Sequence, residues 1–221
     1  MFGLTFPISG DARPGAPHER QRERGFSLLE LLVVVAILMI VAAFLFINAV
    51  SAIRGIRLHQ SAVSYANLLQ NARIRAVQDD TYYTVKADPT TNPPMAFVDV
   101  HQTGTYNATA PADPMMVFLQ DVNPMPFNQG PGLANLESQF LPAGQEGTVS
   151  TTATVPTFGA RGLPCQPSGG TCPYISAGGV ATSYITFLQN TQNGKWEAVT
   201  ISPAARIRIW SYDGTTWSAM N

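Results

Sequence analysis

Residues 20–47 read Arg-Gln-Arg-Glu-Arg-Gly, then FSLLELLVVVAILMIVAAFLFI from Phe26 to Ile47. No charged or strongly polar side chain occurs between Leu31 and Ile47. As a helix these 22 residues would reach roughly 33 Å, enough to cross the hydrocarbon core of a bilayer. Arg20, Arg22 and Arg24 stand immediately before the apolar run, and only Arg54 and Arg57 appear in the stretch immediately after it. The positive-inside rule then predicts a cytoplasmic N-terminus and an exported remainder.

A secretory signal peptide would have a shorter apolar core ending in a small-x-small cleavage site. An ordinary membrane anchor explains the length but not Glu30. A carboxylate costs up to about 3 kcal/mol deep in a membrane, so it calls for a use.

The junction Arg24-Gly25-Phe26-Ser27-Leu28-Leu29-Glu30 resembles the type III signal of prepilins: a basic residue, Gly, Phe, and Glu fifth after the cut. The resemblance implies cleavage by a membrane aspartic peptidase after Gly25 and N-methylation of Phe26. It implies an assembly role for Glu30, which would neutralise the new α-amine of a neighbouring subunit, an amine largely cationic at neutral pH. The leader of 25 residues is long for that family. No cofactor is implied.

The chain has 221 residues, of which only 12% are charged, about half the usual share. Residues 48–221 are rich in Thr, Asn, Gln, Gly, Ser and Pro, the composition of an exported, loop-rich β domain. The net charge of -1 gives no global basic field for nucleic acid. Without residues 1–25 the chain keeps nine basic and eleven acidic residues, a net of -2.

The helical pattern continues beyond the apolar run. Leu58, Ala62, Tyr65, Leu69, Ala72 and Ala76 recur at alternating spacings of four and three, one face of a helix. No Pro interrupts residues 26–78, and Gly55 is the one weak point. The expected organisation is α+β: a leader over 1–25, a helix over 26–78 (26–47 transmembrane, 48–78 amphipathic), and a periplasmic β-rich domain over 79–221. The small residues on the helical stripe suit packing on an antiparallel sheet better than a coiled coil.

Strands are expected at 82–86, 96–100, 115–119, 183–188, 196–202 and 206–212, with Trp217 in a last short hairpin. Asn193-Gly194 reads as a tight hairpin turn. Residues 120–180 contain eight Pro and read as mostly loop, barred from a central sheet position. Gly169-Gly170 and Gly178-Gly179 read as flexible loops. Trp196, Trp210, Tyr212 and Trp217 read as sheet core rather than as a stacking platform.

Three segments carry a second, narrower resemblance. They are Ala66-x5-Ala72-Arg73-x2-Ala76-Val77, Thr157-Phe158-Gly159-Ala160-Arg161-Gly162, and Val199-Thr200-Ile201-Ser202-Pro203-Ala204-Ala205-Arg206-Ile207-Arg208. Together they are similar to the GspH/FimT family of minor pilins, which usually has Gly where Ala205 stands. The resemblance implies a structural or initiating subunit of a type IV pilus or a type II secretion pseudopilus, held in the inner membrane. Its partners would be other pilins and prepilin peptidase. Some members of the FimT branch bind DNA, so Arg206 and Arg208, with Arg161 nearby, form a candidate phosphate-binding strip; a solvated strand face is the alternative.

Cys165 and Cys172 are the two cysteines. In an exported domain they read as a disulfide, with free thiols as the alternative; the spacing does not suit a zinc site. Closing that loop would contribute about 2–3 kcal/mol in the chain-entropy model. Of the three His, His101 shares a strand face with Asp99, but no nucleophile elbow, metalloprotease helix or phosphate loop accompanies it. No enzyme and no metal site is expected.

Overall fold

The computed structural model describes residues 27–141, 143, 155–175 and 179–220. Helix α1 runs Leu28–Gln78. It is followed by β1 (Tyr83–Asp88), β2 (Met95–Asp99), β3 (Met115–Val117) and β4 (Val122–Met125). A 3-10 turn at Phe127–Gln129 leads to α2 (Leu133–Phe140). Then come β5 (Thr157–Phe158), β6 (Tyr184–Asn190), β7 (Trp196–Ile201), β8 (Ile207–Tyr212) and β9 (Trp217–Ala219). The architecture is α+β, with the long helix packed on antiparallel sheets. The chain divides into two units, Met1–Leu45 and Phe46–Asn221.

In the first unit, every side chain from Ser27 to Phe44 is exposed. Leu, Val and Ile dominate this segment, and α1 is long and apolar enough to cross a membrane by length and composition. An apolar helix with no protein around it is matched to lipid or to other helices, since water penalises each such side chain by about 1.5–3 kcal/mol relative to burial.

In the second unit the strands form two sheets, ordered β3-β2-β1-β5 and β4-β6-β7-β8-β9. All the pairings are antiparallel. The six stripe residues of α1 are all buried, five of them completely and Leu58 at 2%. They meet Tyr83, Val85, Ala96 and Val98 of one sheet, and Tyr184, Leu188, Val199 and Ile201 of the other. Alanine at 62, 72 and 76 lets the helix axis come close. Tyr65 fills the remaining width, and its hydroxyl lies 3.2 Å from Thr186 Oγ1; burial pushes the Tyr65 phenol up.

The opposite face of the five-stranded sheet carries a second core. Ile185, Phe187, Ala198, Trp210 and Trp217 pack there with Leu136 and Leu141 from α2 and its end. The Trp210 indole N–H donates to Thr200 Oγ1 at 2.9 Å, so the sheet is covered on both faces.

Three expectations need correcting, and a fourth needs an addition. Residues 120–180 are mostly loop among those described, but they also supply β4, α2 and β5. Leu133, Leu136 and Phe140 follow helical spacing, and Pro124 pairs with Leu188 in β4, an edge strand, where the missing N–H does no harm. Asn193-Gly194 is not a two-residue turn: the strands end at Asn190 and Trp196. Asn190 Oδ1 accepts from the N–H groups of Gln192 and Asn193, and that ties down a longer loop. Gly169-Gly170 forms a tight turn with reciprocal backbone bonds between Ser168 and Thr171; Gly178 lies outside the described residues. Finally, Arg206 precedes β8 rather than lying in it.

Candidate functional site

Gly25 and Phe26 lie outside the described residues. Glu30 lies in the first turn of α1 and is exposed. A carboxylate there suits the positive end of the helix dipole.

The three segments behind the narrower resemblance meet at one side chain. Arg73 Nη1 donates to the Ala205 carbonyl at 3.2 Å. A Cβ on Gly162 would stand 3.0 Å from Val77 Cγ2 and 3.3 Å from Arg73 Nε. Gly162 also has φ +69°, so both its backbone and its lack of a side chain fit the loop onto the helix end.

Ala205 has φ +60° and is buried. Its N–H donates to the Ser202 carbonyl at 2.8 Å, and the Ser202 N–H donates to Arg206 O at 3.0 Å. This is a turn with Pro203 at its second position, closed by a left-handed residue that forms a bulge at the start of β8. The geometry is the one glycine adopts freely; here alanine carries it, with its side chain in the core.

Arg206 and Arg208 line one recess of about 360 Å³ with Phe140. Among the described residues neither forms an ion pair. Arg161 lies over the Tyr174 ring, 5.6 Å from its centroid, and its backbone N–H donates to the Tyr174 hydroxyl at 2.9 Å. It does not line that recess. Cys165 and Cys172 are bonded to each other, and the closed loop lies beside Gly159 and Tyr174.

His101 is paired not with Asp99 but with Asp113, at 3.1 Å. Asp99 instead accepts from the N–H groups of Thr103 and Gly104. Asp113 accepts from Val100 and Asn107. These carboxylates shape a loop. Among the described residues no group of three His, Cys, Asp or Glu could hold a metal ion.

One group escaped the reading of the sequence. Glu197 of β7 is only 5% exposed and faces α1, on the side of Val199 and Ile201. His59 Nδ1 comes within 3.4 Å of Glu197 Oε2, an ion-pair distance without hydrogen-bond geometry, and neither atom has a hydrogen-bond partner. Burial pushes the Glu197 carboxyl up, and His59 opposes that shift only partly. Folding therefore favours the protonated form, so this group's contribution to stability declines as pH rises through its folded value. The signal was there: in Trp196–Ile201, Glu occupies an inward position of the strand alternation.

Residues 20–46 match the family model described as the prokaryotic N-terminal methylation motif. No curated protein and no solved structure matches the chain. The motif, followed by an apolar helix fit to span a membrane, supports a type IV pilin-like precursor and points to a structural protein rather than an enzyme.

Proposed function

We propose that the chain is a minor pilin or pseudopilin, a structural or initiating subunit of a type IV pilus or type II secretion pseudopilus. Prepilin peptidase removes residues 1–25, and Phe26 becomes the methylated N-terminus. The helix from Phe26 anchors the subunit in the inner membrane with its β-rich part in the periplasm. Assembly then packs these helices together, each Glu30 pairing with a neighbour's α-amine. The match at residues 20–46 carries this reading, and the exposed apolar segment Leu31–Phe44 supports it. N-terminal mass spectrometry of membrane-extracted protein should find Phe26, bearing one methyl group, as the first residue. A start at Met1, or within residues 40–60, would refute the reading.

A DNA-binding pilin of an uptake pilus is the alternative, supported by the shared recess of Arg206 and Arg208. Two or three phosphate contacts give a log–log salt slope of about -2 to -3. The full chain in detergent should then bind labelled duplex DNA weakly at low salt. Replacing both arginines by Gln should abolish that binding. No binding at low salt, or unchanged binding in the double variant, removes this alternative.

A further inference from the structure

Between α1 and the ends of β7 and β8 lies a cavity of about 520 Å³, within the size range of small-ligand sites. Gly55 and Leu58 of α1 face it from one side. Glu197 and Ser211 lie on the sheet side, and Lys195 and Asp213 on the flanking hairpins. Two of these residues bear on what the cavity could hold.

The first is Glu197. A buried carboxylate with an unpartnered oxygen weakens a fold unless something completes it. Leu188 and Ser211 stand directly across from it on β6 and β8, and neither carries charge. Lys195, two residues before it on the strand, is exposed and forms no ion pair among the described residues. Asp213 is already engaged: its Oδ1 accepts from the N–H groups of Thr215 and Thr216, which hold its carboxyl well below the usual carboxylate range. Among the described residues the basic side chain close to Glu197 is His59, whose Nδ1 stands 3.4 Å from Oε2 without hydrogen-bond geometry.

The second is Gly55. Glycine inside a helix is unfavourable. A Cβ built on Gly55 meets nothing within 4 Å, so no close packing demands a glycine. What a side chain there would do is occupy the cavity.

We propose that this cavity is a binding site for an organic cation, a guanidinium group whose N–H donors are received by Glu197 and Ser211. A guanidinium presents its donors in a planar fork suited to a carboxylate, and such charge-assisted bonds are the strong ones. A divalent metal is a poor match, since calcium takes six to eight oxygens and only one carboxylate is uncommitted. The guanidinium belongs either to a free small molecule or to an arginine side chain presented by another protein.

The test is titration of the full chain in detergent micelles with L-arginine, followed by amide chemical shifts around Gly55, Gly194 and Gly214. Saturable binding is expected. L-citrulline, of the same shape but uncharged, should bind at least about tenfold more weakly. Glu197→Gln should weaken arginine binding by about tenfold or more, the loss of one charge-assisted contact. Gly55→Leu should weaken it as much while leaving the carboxylate in place. Both variants should melt no lower than the parent protein, which separates lost binding from lost fold. Equal binding of arginine and the capped peptide Gly-Arg-Gly marks the presented side chain as ligand; binding of arginine alone marks the free molecule. No saturation by arginine, equal binding of citrulline, or parental affinity in either variant overturns the proposal.

Discussion

Trp210→Ala should destabilise the unit from Phe46 on by about 3–5 kcal/mol, the usual cost of truncating a fully buried large aromatic. Trp210 is 2% exposed and packs in the core that joins β6, β7, β8 and β9 to α2. Its removal leaves a void that neighbours on a paired sheet cannot close. It also strips Thr200, which is buried, of its indole donor, and an orphaned buried hydroxyl adds to the cost. For a unit of this size each kcal/mol lowers the melting temperature by about 2–4 °C, so the drop should be roughly 6–20 °C. Near-ultraviolet circular dichroism during heating in detergent measures it. Trp210→Phe should fall between, since it keeps most of the apolar volume but still abandons Thr200. A drop under about 2 °C for the alanine variant would mean that the second core contributes little.

Glu30→Ala should insert in the membrane at least as well as the parent, because it removes a charge from a segment bound for lipid. It should nevertheless be depleted from filaments by about a hundredfold or more. Breaking a buried pair by removing one partner typically costs about 3–5 kcal/mol, and each 1.4 kcal/mol is tenfold in an equilibrium. Quantitative immunoblotting of membranes and of sheared or cross-linked filaments reads both quantities. Normal incorporation would deny Glu30 an assembly role. The expectation rests on the proposed processing, since without a free amine at Phe26 the carboxylate has no partner to lose.

The long helix was legible because two independent periodicities specify it: an unbroken apolar run, then the spacing of Leu58, Ala62, Tyr65, Leu69, Ala72 and Ala76. Most strands were legible from β-branched and aromatic runs between turn residues. That two sheets share one helix was not, because pairing between β1 and β5 joins residues over 70 positions apart. Helix α2 follows Gly132 without a side-chain cap and sits between prolines, so Leu133, Leu136 and Phe140 gave little signal. Pro124 and Pro126 were rightly read as barring a central strand, yet an edge strand remained open to Pro124. The partner of His101 lies 12 residues away across a loop whose path no local pattern sets. Glu197 was visible as a charge in an inward register, but the cavity beside it depends on how far α1 stands from the sheet at Gly55.

The ends of the two sheets bear on how such chains behave when crowded. The outermost strands are β3, β5, β4 and β9, of three, two, four and three residues. The longest of them contains Pro124, which has no N–H to offer. A strand from another molecule would find a few consecutive donors and acceptors at most, too few to template lasting pairing. Many copies can therefore gather at one membrane patch without merging edge to edge into insoluble stacks. Contacts between copies are left to helices and side chains, which sequence change can tune one residue at a time.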